Sequence, residues 1–226
     1  MRIDELNWME VESYLKKDDR LMLIVGACEQ HGYLSLMTDI KIPVALADAA
    51  SKRSGVLVAP PLNFGVSPHF GAYPGTITLR LSTFLDAVED MIRSVYRHGF
   101  RRLFFLNGHG GNDPARTRIS EILDSLPGLS VRWYSWWLAP RVTLVAEKHG
   151  LKSYHAAWIE AFPFVRVADL PDGVKEPPLT KDILGAEGTR KLYGNGVFGG
   201  PYKVDGSILD EIFDVAVQDI IDLLTA

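Results

Sequence analysis

Four short runs of consecutive apolar residues constrain the fold more than any other feature of this chain. They are LMLIVGA (21–27), VLVAP (56–60), RLFFLNG (102–108) and VRWYSWW (131–137). Because the apolar residues follow one another without alternating with polar ones, each run is typical of a strand buried on both faces. Such strands occur in parallel sheets that are covered by helices on both sides.

Between these runs lie segments whose apolar residues recur at helical spacing. We expect four helices. The first begins near Pro43, the second covers residues 82–98, the third follows residues 112–114, and the fourth covers residues 208–224. Proline suits the first turn of a helix, and Asn112 is a residue type that caps one. Strands that alternate with helices predict an α/β fold with a mostly parallel central sheet and helices on both faces.

Length and composition limit the function classes. A chain of 226 residues falls within the range of one domain, so we expect residues 1–226 to form a single domain. The net charge of −4 gives no general attraction to nucleic acid. A single cysteine excludes an internal disulfide framework and suits a reducing compartment. With neither a signal-peptide pattern nor an apolar stretch long enough to span a bilayer, the expectation is a cytoplasmic protein without membrane contact.

Polar side chains follow two of the predicted strands directly. Glu29 and His31 come after the first run, Asp39 follows a short loop, and His109 comes after the third run in the sequence NGHGGN. In open α/β sheets, ligands bind beyond the carboxyl ends of the strands. Taken singly, each residue could be a hydrogen-bonded core histidine or a surface carboxylate. Together they favour a site for zinc, manganese or iron, which accept carboxylate and imidazole ligands.

Four motifs carry a family resemblance, and they occur in the family's order across about residues 26–161. They are EQHGYLSLMTD, HFGAYPGTITL, HGFRRLFFLNGHGGN and HAAWIEAF. These motifs resemble the creatininase (creatinine amidohydrolase) family, and the segment 196–211 is similar to its C-terminal part. The resemblance implies a creatininase-like fold, a small-molecule substrate, two divalent metal ions per chain, and a homo-oligomer, either a hexamer or a dimer.

The same resemblance implies roles for individual residues. Glu29, His31, Asp39 and His109 correspond to metal ligands of the family, with Asp39 bridging the two ions. Two close ions would lower the pKa of a bridging water and polarise a carbonyl group, which is the chemistry of a metal-dependent hydrolase.

One ligand position departs from creatininase. There, the NGH motif continues with a tyrosine and a metal-binding glutamate, whereas this chain has Gly110 and Gly111. Relatives with the GHGGN form carry a glutamate in a later HAG-x-x-E segment, which corresponds here to Glu160. In creatininase, Thr and Ser follow the corresponding glutamate, whereas Ala161 and Phe162 follow Glu160 here. The resemblance therefore identifies the family of this chain but not its substrate.

Further side chains are expected in or near the pocket. We expect His155 to act as the acid and base, because imidazole titrates in the suitable range. His69 is expected at the pocket mouth, and Trp137 and Trp158 are expected to contact substrate. For Trp137, which lies in a predicted strand, core packing is an equal alternative. Cys28 offers a different chemistry, that of a cysteine nucleophile.

The sequence therefore favours a dinuclear-metal hydrolase acting on a small cyclic amide or related C–N bond. Ring opening of an inosose-like cyclic ketone is an alternative within the same enzyme class. A metal- or ligand-binding module without catalytic activity is an alternative from a different class.

Overall fold

A four-stranded parallel sheet forms the centre of the protein, and it confirms the predicted α/β architecture. The computed structural model describes residues 1–225. The strands are β1 (Arg20–Val25), β2 (Leu57–Val58), β3 (Arg102–Asn107) and β4 (Ser130–Ser135), in the order β2-β1-β3-β4. Val25, Asn107 and Ser135 pair across β1, β3 and β4, so these strands end at the same level.

Helices cover both faces of the sheet, as predicted. They are α1 (Trp8–Leu15), α2 (Thr38–Ser54), α3 (Leu81–His98), α4 (Ala115–Leu123), α5 (Pro140–Lys148), α6 (Ala186–Tyr193) and α7 (Gly206–Thr225). Alternate residues of β1 face opposite sides. Met22 and Ile24 join the core beneath α2, α5 and α7, whereas Leu21 and Leu23 join the core beneath α1, α3 and α4.

Outside the central sheet, β5 (Val174–Lys175) and β6 (Gly200–Pro201) form a short antiparallel pair. No helix within residues 1–225 combines the length and the apolar composition that crossing a bilayer requires.

Helix α2 begins earlier than the sequence pattern predicted. It starts at Thr38, so Pro43 lies inside the helix and Asp39 lies in its first turn. Proline has no N–H group and cannot donate to the carbonyl oxygen of Asp39, four residues earlier. That carbonyl faces the carboxyl ends of β1 and β3. The Asp39 carbonyl, which receives no hydrogen bond from Pro43, therefore lies where the start of α2 contacts the sheet closely.

Strand β4 is less buried than its apolar run predicted. Only Tyr134 is buried in this strand, because β4 lies at the edge of the sheet. In the central strands β1 and β3, every residue after the first is buried, as expected for strands covered on both faces.

Candidate metal centre

Five of the residues singled out in the sequence meet beyond the ends of β1 and β3. One carboxylate oxygen of Asp39 lies 3.0 Å from Nε2 of His31, and its other oxygen lies 3.0 Å from Nδ1 of His109. Glu29 lies 3.3 Å from Nδ1 of His109, and Glu160 lies 3.7 Å from Nε2 of His31. All five residues are buried. They form two groups of three donors, which share Asp39.

Two glycines allow the start of α2 to reach this position. A Cβ atom on Gly108 would lie 1.9 Å from the carbonyl oxygen of Asp39, and one on Gly26 would lie 2.2 Å from the same oxygen. Both distances are shorter than any van der Waals contact. The glycines at the ends of β1 and β3 are therefore required for Asp39 to approach the sheet so closely.

We expect Gly108→Ala to displace Asp39 and to lower both metal affinity and thermal stability. Because the new methyl group would overlap the backbone of Asp39, we expect the loss in unfolding free energy to be about 1–3 kcal/mol, as for other overpacked sites. Calorimetry and metal analysis of the purified variant provide the measurements. Gly110→Ala is the matched control, because its Cβ would be no closer than 3.9 Å to Trp137. Equal behaviour of the two variants would contradict this account.

Asn112 ties the loops of the site together and does not cap α4. Its side-chain amide donates to the carbonyl of Gly26 at 3.1 Å, and its side-chain oxygen accepts from the N–H of Val66 at 3.3 Å. The residue directly before α4 is Pro114, which makes no side-chain cap. The prediction of an Asn112 cap was therefore wrong, since this buried side chain is used to join three separate loops.

Backbone carbonyls orient both histidines of the two donor groups. Nδ1 of His31 lies 3.1 Å from the carbonyl oxygen of Glu29, and Nε2 of His109 lies 3.0 Å from that of Val66. A neutral ring that donates its N–H to the carbonyl directs the lone pair of its other nitrogen into the cluster, where it could bind a cation. This is how metal-binding histidines are commonly held.

The carboxylates also control the charge of these rings. Burial alone would lower the pKa of His31, but Asp39 and Glu160 outweigh it and raise the pKa well above its ordinary value. Burial likewise opposes the protonation of His109, and Glu29 and Asp39 raise its pKa well above the ordinary value. Burial would raise the pKa of Asp39, but the two histidines hold it below its usual range. A proton on either ring would thus be stabilised by the negative charge of the neighbouring carboxylates.

Several donor atoms of the cluster lack hydrogen-bond partners within residues 1–225. They are both carboxylate oxygens of Glu29, one oxygen of Asp39, and Nε2 of His31. Among the described ion pairs, none joins a lysine or an arginine to the carboxylates of Glu29, Asp39 or Glu160. Buried ionised groups without partners are costly, and natural proteins pair them or bind metals with them. The side chains of this cluster are therefore suited to bind divalent cations.

A cavity of about 400 Å³ opens onto the cluster. His69 and Trp137 lie in its wall, where the sequence analysis placed them, and His155 lies there too. Trp158 does not contribute to the wall. It is 0% exposed, and its indole N–H donates to the carbonyl of Lys152 at 2.9 Å. The expected substrate contact of Trp158 does not fit this position, because the side chain packs within the hydrophobic core.

His155 lies between the cluster and two aromatic rings. Its Nδ1 is 3.8 Å from a carboxylate oxygen of Glu29, and its ring stacks on Phe70 at 4.7 Å between centroids. Burial, followed by the nearby charge of His31, holds the pKa of His155 well below its ordinary value. The ring is therefore neutral at neutral pH and able to accept a proton.

Comparison with known proteins identifies the family of the chain. The sequence matches the creatininase family, described as creatinine amidohydrolase, over residues 4–224. This chain belongs to the creatininase family. Members of that family are metal-dependent amidohydrolases.

Two curated relatives match part of the chain. Creatinine amidohydrolase of Pseudomonas putida is 38% identical over 117 residues, which cover 49% of this chain and 45% of that protein. The 3-dehydro-scyllo-inosose hydrolase of Thermotoga maritima is 30% identical over 103 residues, which cover 45% of this chain and 33% of that protein. The matched part of this chain thus spans less than half the length of either relative.

Solved creatininase structures match over nearly the whole length. The crystal structure of a creatinine amidohydrolase (creatininase) has a TM-score of 0.84 and 27% identity, and covers 99% of this chain and 96% of that one. A zinc–zinc form of a creatininase variant has a TM-score of 0.83 and 28% identity, with the same coverage. A manganese form has a TM-score of 0.79 and 26% identity, again with that coverage.

The departure of this chain from the creatininase NGH motif has a steric basis. A Cβ atom on Gly111 would lie 2.0 Å from the carbonyl oxygen of Val66, so a glutamate does not fit there. Glu160 instead reaches the cluster from the segment after His155. One of its oxygens accepts the N–H of Ala156 at 2.6 Å, and the other faces His31.

Cys28 lies beside the cluster and is not part of the cavity wall. Its thiol donates to the carbonyl of Gly75 at 3.5 Å, and burial, with a smaller contribution from Glu29, raises the pKa of the thiol. A nucleophilic cysteine requires a thiolate that is accessible to substrate. The geometry therefore favours metal chemistry over the cysteine alternative.

Proposed function

We propose that this chain is a dinuclear-metal hydrolase that opens a small, neutral cyclic amide or a related C–N bond. The observation that carries the proposal is the position of Asp39. Its two carboxylate oxygens face different histidines, His31 and His109, each at 3.0 Å. A carboxylate that serves two donor groups in this way is suited to bridge two ions.

Each group supplies three protein donors. Glu29, Asp39 and His109 would hold one ion, and His31, Asp39 and Glu160 would hold the other. Three protein ligands leave a position for substrate or water, as in catalytic zinc sites. When bound, the ions would act as Lewis acids and lower the pKa of water. Carboxylate and imidazole donors suit zinc, manganese or iron.

His155 is placed to move protons during the reaction. Its Nδ1 faces the Glu29 side of the cluster, and its ring is exposed to the cavity. Because burial keeps the ring neutral, Nδ1 can accept a proton from the attacking water. The same nitrogen can then donate that proton to the leaving nitrogen of the amide.

The cavity wall supports a small, flat and uncharged substrate. Phe70, Trp137 and Phe198 provide aromatic surfaces, and the described lining contains no lysine or arginine to pair with an anion. Outside the cluster, His69 and His155, the polar side chains of the wall are Ser153 and Tyr154. A polyhydroxylated ring would find few partners there, which favours the cyclic amide over the inosose-like ketone.

Titration of chelator-treated protein with Zn²⁺ or Mn²⁺ tests the dinuclear proposal. We expect two equivalents per chain, and we expect protons to be released because His31 and His109 must lose theirs before they bind metal. Since both pKa values are raised, each ring holds its proton until the pH exceeds the raised value. Metal affinity should therefore fall as the pH is lowered. Calorimetry in two buffers measures both effects, and a single equivalent without proton release would contradict the proposal.

A substrate panel tests the reaction. Protein loaded with two equivalents of metal is incubated with creatinine, other five-membered cyclic amides and an inosose-like ketone. We expect ring opening of at least one cyclic amide and none of the ketone. Turnover of the ketone alone would favour the alternative enzyme activity. No turnover of any member, with both ions bound, would favour the non-catalytic binding module.

We also propose that copies of the chain associate with one another. Leu179 and Ile183 are 95% and 103% exposed, and large apolar side chains at such exposure favour burial against another surface. Multi-angle light scattering should show a dimer or a hexamer at micromolar concentration. A monomer would contradict this proposal without affecting the metal site.

A further inference from the structure

Three arginines lie on one face of the central sheet, at the amino ends of its strands. Arg20 and Arg102 are the first residues of β1 and β3, and Arg102 is also in register with Ser130, the first residue of β4. Arg132 follows Ser130 by two positions. Residues in register, and residues two apart in a strand, point to the same face of a sheet. All three guanidinium groups are therefore on the face that α7 covers, where Met22 and Phe104 belong to the core.

The three side chains surround a cavity of about 250 Å³ at the last turn of α7. We call it the arginine cavity, and its other lining residues are Leu103, Phe104, Ser130, Leu223, Leu224 and Thr225. Every charged residue of the described lining is thus an arginine. The metal centre lies at the opposite ends of the strands, and six residues of strand correspond to about 20 Å. The arginine cavity is therefore a separate site.

Two aspartates outside the lining offset part of the positive charge. Asp18 accepts from Nε of Arg20 at 2.9 Å and lies 3.3 Å from Nη2 of Arg102, and Asp19 accepts from Nε of Arg102 at 2.5 Å. Burial would raise the pKa of Asp18, but the hydrogen bonds and charges of the two arginines hold it below its ordinary value. Both Arg20 and Arg102 therefore have an anionic partner.

Arg132 has no such partner among the described ion pairs. Its Nη1 donates to the carbonyl of Leu223, and Nη1 of Arg20 donates to that of Leu224 at 3.1 Å. The carboxyl end of a helix carries about half a negative charge. Three guanidinium groups against two aspartates and this partial charge leave an excess of positive charge. Nε and Nη2 of Arg132 and Nη1 of Arg102 have no described hydrogen-bond partner.

We propose that the arginine cavity binds a phosphate-class oxyanion, either as the free ion or as the phosphate group of a small molecule. A guanidinium group presents several N–H donors in a planar fork that matches the spacing of phosphate oxygens. The hydroxyl groups of Ser130 and Thr225 are further donors. The ion offsets the excess charge and the repulsion between the adjacent arginines of β1 and β3. It also joins the last turn of α7 to three strands, so it stabilises the folded chain.

Calorimetric titration of zinc-loaded protein with inorganic phosphate tests the inference, with the ionic strength held constant by chloride. We expect saturable binding at one site per chain and a rise in melting temperature that saturates over the same concentrations, because a ligand of the folded state stabilises by mass action. Chelator-treated protein should bind phosphate with the same affinity, since the lining includes none of the proposed metal ligands. Binding that occurs only in the zinc-loaded protein would place the ion at the metal centre and overturn the inference.

Two substitutions locate the phosphate. We expect Arg132→Gln to weaken its binding by at least about 10-fold, the loss that follows removal of a hydrogen bond between charged groups. Because Arg132 also contacts α7, Arg102→Gln is the second variant, and its side chain is 56% exposed and paired with Asp18 and Asp19. Arg93→Gln is the matched control, since Arg93 is 41% exposed, pairs with Glu89 and lies outside the cavity lining. Circular dichroism verifies that each variant is folded.

Equal phosphate affinity in Arg102→Gln and Arg93→Gln would contradict the proposal. Glycerol 3-phosphate distinguishes the two forms of the ligand. If it binds at least as tightly as inorganic phosphate, the site accepts the phosphate group of a small molecule. If only inorganic phosphate binds, the ligand is the free ion. Binding of neither at millimolar concentration would overturn the inference. These measurements need no turnover, so their outcome is independent of the proposed hydrolase activity.

Discussion

Glu160→Gln is expected to lose one of the two metal ions while the protein stays folded. In the wild type, one oxygen of Glu160 accepts the N–H of Ala156 and the other faces His31. The carbonyl oxygen of a glutamine can keep the contact with Ala156. Its NH₂ group would then point at the position where a ligand is needed. An NH₂ group has no lone pair to offer a cation, so the group of His31, Asp39 and Glu160 would be left with two donors.

Elemental analysis should show a fall from two ions to one per chain, and hydrolysis should fall by more than about 100-fold, since even outer-shell changes at metal sites cost 10- to 100-fold. Glu89→Gln is the control, because Glu89 forms surface ion pairs with Arg93 and Arg118. Circular dichroism verifies the fold of both variants. Two ions retained in Glu160→Gln would show that this carboxylate is not a ligand.

The general location of the site was predictable from sequence because parallel strands end at one edge of a sheet. Glu29 and His109 each follow a buried apolar run, and the equal ends of β1 and β3 bring them together. The position of Asp39 was less predictable. Its place in the first turn of α2 depends on a close approach of that helix to Gly26 and Gly108, which apolar periodicity does not reveal.

Other parts of the site depend on contacts that the sequence does not encode locally. Aromatic residues of a pocket wall and of a core are of the same types, so only the burial of Trp158 among core residues shows which role it has. The side-chain amide of Gln30 lies 3.0 Å from Nε2 of His155, but Gln30 was not singled out, because a single amide has no distinctive spacing. Gly196, whose carbonyl accepts a hydrogen bond from the Gln30 side-chain amide, lies far along the chain from Gln30. The one available signal was the run of glycines in the segment 194–200, GNGVFGG.

His155→Ala is expected to retain both metal ions and to lower kcat by about 10²–10⁴-fold, the usual contribution of a general acid or base. The partly buried ring has a lowered pKa and is neutral near pH 7, so its removal takes away a proton acceptor without exposing a charge. The alanine variant should regain part of its activity when imidazole is added, because the space vacated by the ring opens onto the cavity. His149→Ala is the control, since His149 pairs with Glu211 on the surface.

The metal content of His155→Ala decides between two roles for this ring. Glu29, His31 and His155 also form a group of three donors, so the ring lies close enough to be a ligand. Its Nδ1 lies 3.8 Å from Glu29, a separation similar to the 3.7 Å between Glu160 and His31. If one ion is lost and imidazole restores it, His155 is a ligand. If both ions remain and imidazole restores turnover, the ring transfers protons, because Glu29, His31, Asp39, His109 and Glu160 then suffice to hold the metals.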